Sequence, residues 1–212
     1  MRGLPYFASF LLLIFISISC QKDKSIPNFK LPKNEEINAV IKALINSDSL
    51  PLAAHHGYKE KPSFCEDLEK LKIEHIEKDF LKKIPKKQEG ESELIELLIG
   101  LPDVPQEKFF FSKSDSLYIE FQGKNFNTFK LEQKDFDNVQ IRSIKELRKD
   151  FKEVKYFNFY HATIPIISLD GKKAYVKYTL HCSGLCGYCY RVFLEKRNGK
   201  WIVARYNVDW VS

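Results

Sequence analysis

Residues 173–211 leave this chain fewer ways to fold than any other stretch. Asp170-Gly171 and Asn198-Gly199 each stand between β-favouring runs. A type I′ hairpin turn needs positive φ at both central residues, and Asp-Gly and Asn-Gly tolerate that best. From 174 to 181 the residues divide by parity, with Ala174, Val176, Tyr178 and Leu180 set against Tyr175, Lys177, Thr179 and His181. Tyr190, Val192 and Leu194 oppose Arg191, Phe193 and Glu195 in the next run. In the last, Ile202, Ala204, Tyr206, Val208 and Trp210 oppose Val203, Arg205, Asn207 and Asp209. Side chains alternate along a strand, so each run offers one face to a core and one mainly to water. The aromatic and β-branched run Lys155 to Ser168 feeds the Asp170-Gly171 turn, which predicts a four-strand meander. Pro165 has no N–H to donate and suits an edge or a bulge there.

The earlier part of the chain reads mostly as helix. Asn34 suits a helix cap, and Ile37, Val40, Ile41, Leu44 and Ile45 follow it at helical spacing. Ser63-Phe64-Cys65-Glu66 and Ser143-Ile144-Lys145-Glu146 both have the spacing of a capping box. Phe64, Leu68 and Leu71 continue the first, and Ile144, Leu147, Phe151 and Val154 the second. Residues 94–99 suit a short helix that stops at Gly100. Residues 116–122 alternate and read as a strand, with 126–131 as its partner. Helices early and strands late predict an α+β fold, with N-terminal helices packed on one face of a C-terminal antiparallel sheet. The 212 residues suffice for one moderate domain. The formal charge of +6 is spread over lysines scattered among nearly as many acids. No basic stripe and no recognisable module results, which argues against nucleic acid as a partner.

The first 24 residues carry an address. Arg2 supplies a positive start, Phe7 to Ile18 is a short apolar run, and Ser17-Ile18-Ser19-Cys20 follows. The apolar run has the length of a secretory leader rather than a membrane span. The motif resembles the lipobox of bacterial lipoproteins. That resemblance implies residues 1–19 as a signal peptide, cleavage before Cys20, and acyl chains on the Cys20 sulfur and amine. Several acyl chains hold a protein on a bilayer far more firmly than one. Gln21-Lys22-Asp23-Lys24 looks like the short charged signals that send some outer-membrane lipoproteins to the surface. The implied place is the cell envelope, at the outer membrane, facing the periplasm or the exterior. Residues 20–33, with two prolines, then form a tether, and 34–212 the domain.

With Cys20 acylated, Cys65, Cys182, Cys186 and Cys189 are left, an even number in an exported chain. Cys182 and Cys186 flank Ser-Gly-Leu and can face each other across a hairpin mouth. Cys65 with Cys189 would then tie the early segment to the sheet. The two other pairings and free thiols remain alternatives. Zinc on His181, Cys182, Cys186 and Cys189 is a further one, although only Cys186-x2-Cys189 has a knuckle's spacing. The Cys182-x3-Cys186-x-Tyr188-Cys189 spacing resembles the cluster-binding signature of radical S-adenosylmethionine enzymes. That family needs most of a β/α barrel after the motif, and only residues 190–212 follow here. No cofactor is expected.

Other chemistry-bearing residues are scattered. His55-His56 lacks an acidic partner at diagnostic spacing, His75 and His161 are isolated, and no nucleophile elbow, phosphate loop or H-E-x-x-H occurs. Tyr156, Phe157, Phe159 and Tyr160 form a sugar-stacking platform if exposed and core if not. Pro165-x-x-Ser168, Cys182-x3-Cys186-Gly187, Glu195-Lys196 through Gly199-Lys200-Trp201, and Trp210-Val211-Ser212 look like the ends of uncharacterised bacterial exported lipoproteins. That resemblance implies a small cone-shaped α+β domain of the nuclear-transport-factor type. It also implies Trp201 and Trp210 burying large area at the sheet's end. The expected role is binding or structural, with the membrane and a protein or glycan as partners. A hydrolase or isomerase would instead need a cleft between helices and sheet.

Overall fold

A computed structural model describes residues 28–50, 61–74, 92–94, 109–153, 157–182 and 187–211. Cys20 with the leader, His55, His56, His75, Tyr156 and Cys186 lie outside them, as do most residues of the short helix expected over 94–99. The fold is α+β. Its main sheet has seven strands in the order β11-β10-β9-β7-β1-β6, with β8 also paired to β9. These are β1 (Ser63–Cys65), β6 (Gln140–Arg142), β7 (Asn158–Ala162), β8 (Ile166–Ile167), β9 (Lys173–Cys182), β10 (Gly187–Arg197) and β11 (Lys200–Val211). β2 (Asp67–Leu68) pairs with β5 (Phe129–Lys130), and β3 (Lys72–Glu74) with β4 (Ser92–Leu94).

The meander forms as the alternation requires. β7, β9, β10 and β11 are joined antiparallel in that order. Asn198 and Gly199 take φ of 51° and 77°, the double positive φ of a tight hairpin. Asp170-Gly171 behaves differently, with only Gly171 at positive φ. There the Ser168 hydroxyl organises a wider loop: it donates to Asp170 Oδ1 at 2.6 Å and accepts from the Lys173 amide at 2.9 Å. Pro165 falls in the gap between β7 and β8, where the Thr163 hydroxyl accepts the Lys177 amide at 3.0 Å.

Helix α1 (Asn34–Ile45) buries Ile37, Val40, Ile41, Leu44 and Ile45. Its N-cap is Lys33, without a side-chain cap, so Asn34 is the first helical residue rather than the cap. The Ser143 box forms, with Glu146 Oε2 accepting the Ser143 amide at 3.0 Å and opening α3 (Ile144–Glu153). The Ser63 box does not. Ser63, Phe64 and Cys65 are all buried in β1, parallel to β6 on one side and β7 on the other. A three-residue segment buried on both faces has no use for a solvated helix cap, so pairing overrides the local signal. Residues 116–122 are also corrected: they belong to α2 (Ser116–Asn125). Its buried residues are Tyr118, Ile119 and Gln122, a helical spacing, while Leu117 is exposed.

The helices cover both faces of the sheet, not one. Phe64, Tyr160, Val176, Tyr178, Val192 and Leu194 share a buried cluster with the α1 stripe. On the opposite parity Cys65 and Phe159 pack with Leu147 of α3. Tyr175 and Phe193 pack with Ile119 of α2, Phe110 and Phe111. Glu36 pins α1 to the hairpin end of β10 and β11, its Oε1 accepting Lys196 Nζ at 2.7 Å and Trp201 Nε1 at 2.9 Å.

Candidate functional site: the outer strand and the polar lane behind it

β11 is the longest strand described, and it stands at the end of the strand order. An edge strand presents one row of backbone N–H and C=O groups to whatever approaches. Its sequence alternates cleanly, yet its burial does not, because two register shifts interrupt its pairing with β10. Leu194 faces Val203 while Phe193 faces Arg205, and Tyr190 faces Val208 while Cys189 faces Trp210. Each shift adds a residue on β11, a β-bulge, and reverses parity beyond it. Val203, Tyr206 and Val208 therefore share the α1 face, and Trp210 turns to the other. Trp201 is buried at 7% exposure but Trp210 is exposed at 41%, so only the first tryptophan closes the sheet's end. Ile202, Tyr206, Val208 and Val211 are exposed with it.

Behind Trp210, on the α2–α3 face, a polar lane separates the two aromatic clusters. Asp209 sits in the second bulge and meets Lys177 Nζ and Arg191 Nε, each at 3.2 Å. The Cys189 sulfur lies 3.5 Å from Thr179 Oγ1. His181 stacks on Phe159, with ring centroids 4.5 Å apart and planes 14° apart, and lies 6.2 Å from His161. Burial, helped by the nearby charges of His161 and Arg148, pushes His181 down to about 4. Burial lowers His161 too, against the pull of Glu69, whose Oε1 is 3.5 Å from its Nδ1. Both imidazoles are neutral near pH 7, and stacking against Phe159 suits that state.

The cysteines resolve differently from the expected pattern. Cys65 is a free, buried thiol whose burial raises it above the ordinary value. The Cys65–Cys189 bridge is not formed. β7 and β9 lie between β1 and β10, so three strand spacings of about 4.8 Å separate them, far beyond the roughly 7 Å that a disulfide spans. Cys182 is disulfide-bonded, and its expected partner Cys186 lies outside the described residues. That bond takes Cys182 out of the zinc set, and its parity places it on the opposite face from His181 and Cys189. Among the described residues no group of three His, Cys, Asp or Glu converges as a metal site. Phe159 and Tyr160 are core, which removes the sugar platform from that strand.

One depression lies beside α1, lined by Lys42, Ile45, Asn46 and residues 135–138, with a volume of about 160 Å³. It is smaller than the several hundred Å³ of small-molecule sites. It also lies beside the helix end rather than between helices and sheet. Sequence reasoning missed the exposure of β11. The available signal was apolar residues on both parities of one strand, Ile202 with Val203 and Trp210 with Val211, which a half-buried strand does not need. No protein-family model matches this chain, and no curated protein or solved structure is significantly similar to it.

Proposed function

We propose that this is a lipid-anchored protein of the bacterial cell envelope whose role is to bind another protein. Acyl chains on Cys20 hold it at the outer membrane, residues 21–28 tether it, and the folded domain, entered at Phe29 against α2, presents β11 to its partner. The anchor is supported by the leader and by Ser17-Ile18-Ser19-Cys20. The binding role rests on one observation: β11 exposes Tyr206, Val208, Trp210 and Val211 along an edge strand. An extended segment of the partner adds to that edge, its backbone pairing with β11 and its side chains meeting the apolar residues on either side. Because the bulge at Asp209 turns Tyr206 and Trp210 to opposite faces, they make no single stacking plate, which favours a peptide over a glycan. The same reading takes the domain as a small cone-shaped one of nuclear-transport-factor type, supported by the long meander and by bulges that bend and twist its last strand.

The test places a photo-crosslinking residue at Val208 in the full-length protein in cells. It should capture a defined envelope protein, and Tyr206→Lys in the same chain should abolish that capture, since an edge lysine blocks strand addition. Capture no better than from Asp137, beside the far end of α1, or capture unchanged by Tyr206→Lys, would refute the reading.

A further inference from the structure

The large apolar residues exposed among the described residues fall into two groups. Five belong to β11, and the other three are leucines: Leu31 at 38%, Leu117 at 56% and Leu169 at 51%. Single exposed leucines are ordinary. All three sit on, or next to, backbone tied to the first turn of α2. Leu117 is the second residue of that helix. The Leu169 amide donates to Asp115 Oδ1 at 2.8 Å, immediately before it. Leu31 follows Lys30, whose carbonyl accepts the Tyr118 hydroxyl at 3.0 Å.

The tether enters the domain at the same place. Phe29 packs on Tyr118 and Phe121 of α2, with ring centroids 5.2 and 5.7 Å away. Residues 21–28 are all that separate Cys20 from Phe29. Fully extended they reach about 30 Å, whereas a domain of this length is about 40 Å across. With Cys20 in the bilayer, the Phe29 end of the domain cannot leave the membrane's neighbourhood. Close to the leucines along the chain, Lys30, Lys33, Lys113 and Lys172 are exposed, as are the acids Glu35 and Asp170; the partly exposed Glu120 and the buried Asp115 are the further acids beside Leu117.

We propose that the three leucines rest in the headgroup region of the bilayer, with the surrounding lysines on anionic lipid phosphates. This rests on the reading of Cys20 as the anchor and adds a second contact that fixes the orientation of the domain. Leucine side chains entering the interface leave water, and lysines reach phosphate while their stems cover apolar surface. The acyl chains supply attachment, and the leucine patch decides which side faces the lipid. β11 is then held by the fold at a set angle to the membrane, available to a partner instead of tumbling on a loose leash.

The experiment uses the acylated protein extracted from expressing cells and reconstituted into phosphatidylethanolamine–phosphatidylglycerol vesicles. Leu117→Cys, Leu169→Cys and, as a control, Asp137→Cys are reacted with a membrane-impermeant maleimide before and after detergent, with the unsubstituted chain as blank. Residues 117 and 169 should react about tenfold more slowly on vesicles than in detergent, as side chains seated in the headgroup region do, while residue 137 reacts equally in both. If the protein floats with the vesicles and all three react alike in both conditions, the orientation is overturned and the anchor stands. If the protein does not float with the vesicles, the anchor falls, and this proposal with it.

Discussion

His181 is wedged between Phe159 and the second histidine of the lane, and its imidazole titrates at about 4 instead of 6.5. Between those values the unfolded chain holds a proton that the folded chain refuses. Stability therefore rises with pH through that window and is lost as pH falls from above 6.5 towards 4. His161 is lowered in the same direction, so the two contributions add. The melting temperature should fall steadily over that range, and His181→Phe, which keeps a ring against Phe159, should flatten part of the slope. An equal slope in both proteins would show that His181 does not carry it. At this scale the sequence was least informative. Nothing in the letters around Cys65 says that two strands lie between it and Cys189, and nothing around His161 says that His181 of another strand lies on its face.

Helix α2 shows how an element's identity is decided outside itself. Residues 116–122 alternate well enough for a strand, yet the chain coils there, and from that helix Gln122 reaches Ile167. Its buried amide donates to the Ile167 carbonyl at 2.7 Å and accepts the Ile167 amide at 3.0 Å, completing β8 as a neighbouring strand would. Gln122→Leu keeps helix propensity and bulk but leaves both Ile167 groups unpaired. It should cost about 1–3 kcal/mol for each buried group orphaned, read as a shifted midpoint in chemical denaturation. A midpoint within error of the parent would mean that water or a rearranged β8 replaces the amide. α3 is the contrasting case. Its Ser143–Glu146 box is a local hydrogen-bond motif and formed where the letters placed it. The Ser63 box has the same letters and failed, because β6 and β7 bracket that segment and bury all three of its residues.

Across the whole molecule, the sheet divides its surroundings into an α1 face and an α2–α3 face, and its last strand runs out past both. This makes the two tryptophans distinguishable. With Trp201→Phe, the emission left from Trp210 should be red-shifted and readily quenched by iodide. With Trp210→Phe, the emission left from Trp201 should be blue-shifted and shielded. Equal quenching of the two would contradict the burial of one and exposure of the other. The sequence by itself determined the meander, its tight turn at Asn198-Gly199, the α1 stripe and the α3 cap. All of these follow from contacts between residues close along the chain, or from a periodicity that a single element displays. Only the tertiary structure decided that β1 is a strand, that 116–122 is a helix, that Cys65 stays a thiol, and that β11 bulges twice and leaves Trp210 in water. Each of these depends on which distant segment lies alongside, and burial against a partner far away in the chain outweighs the few tenths of a kcal/mol that local preference supplies.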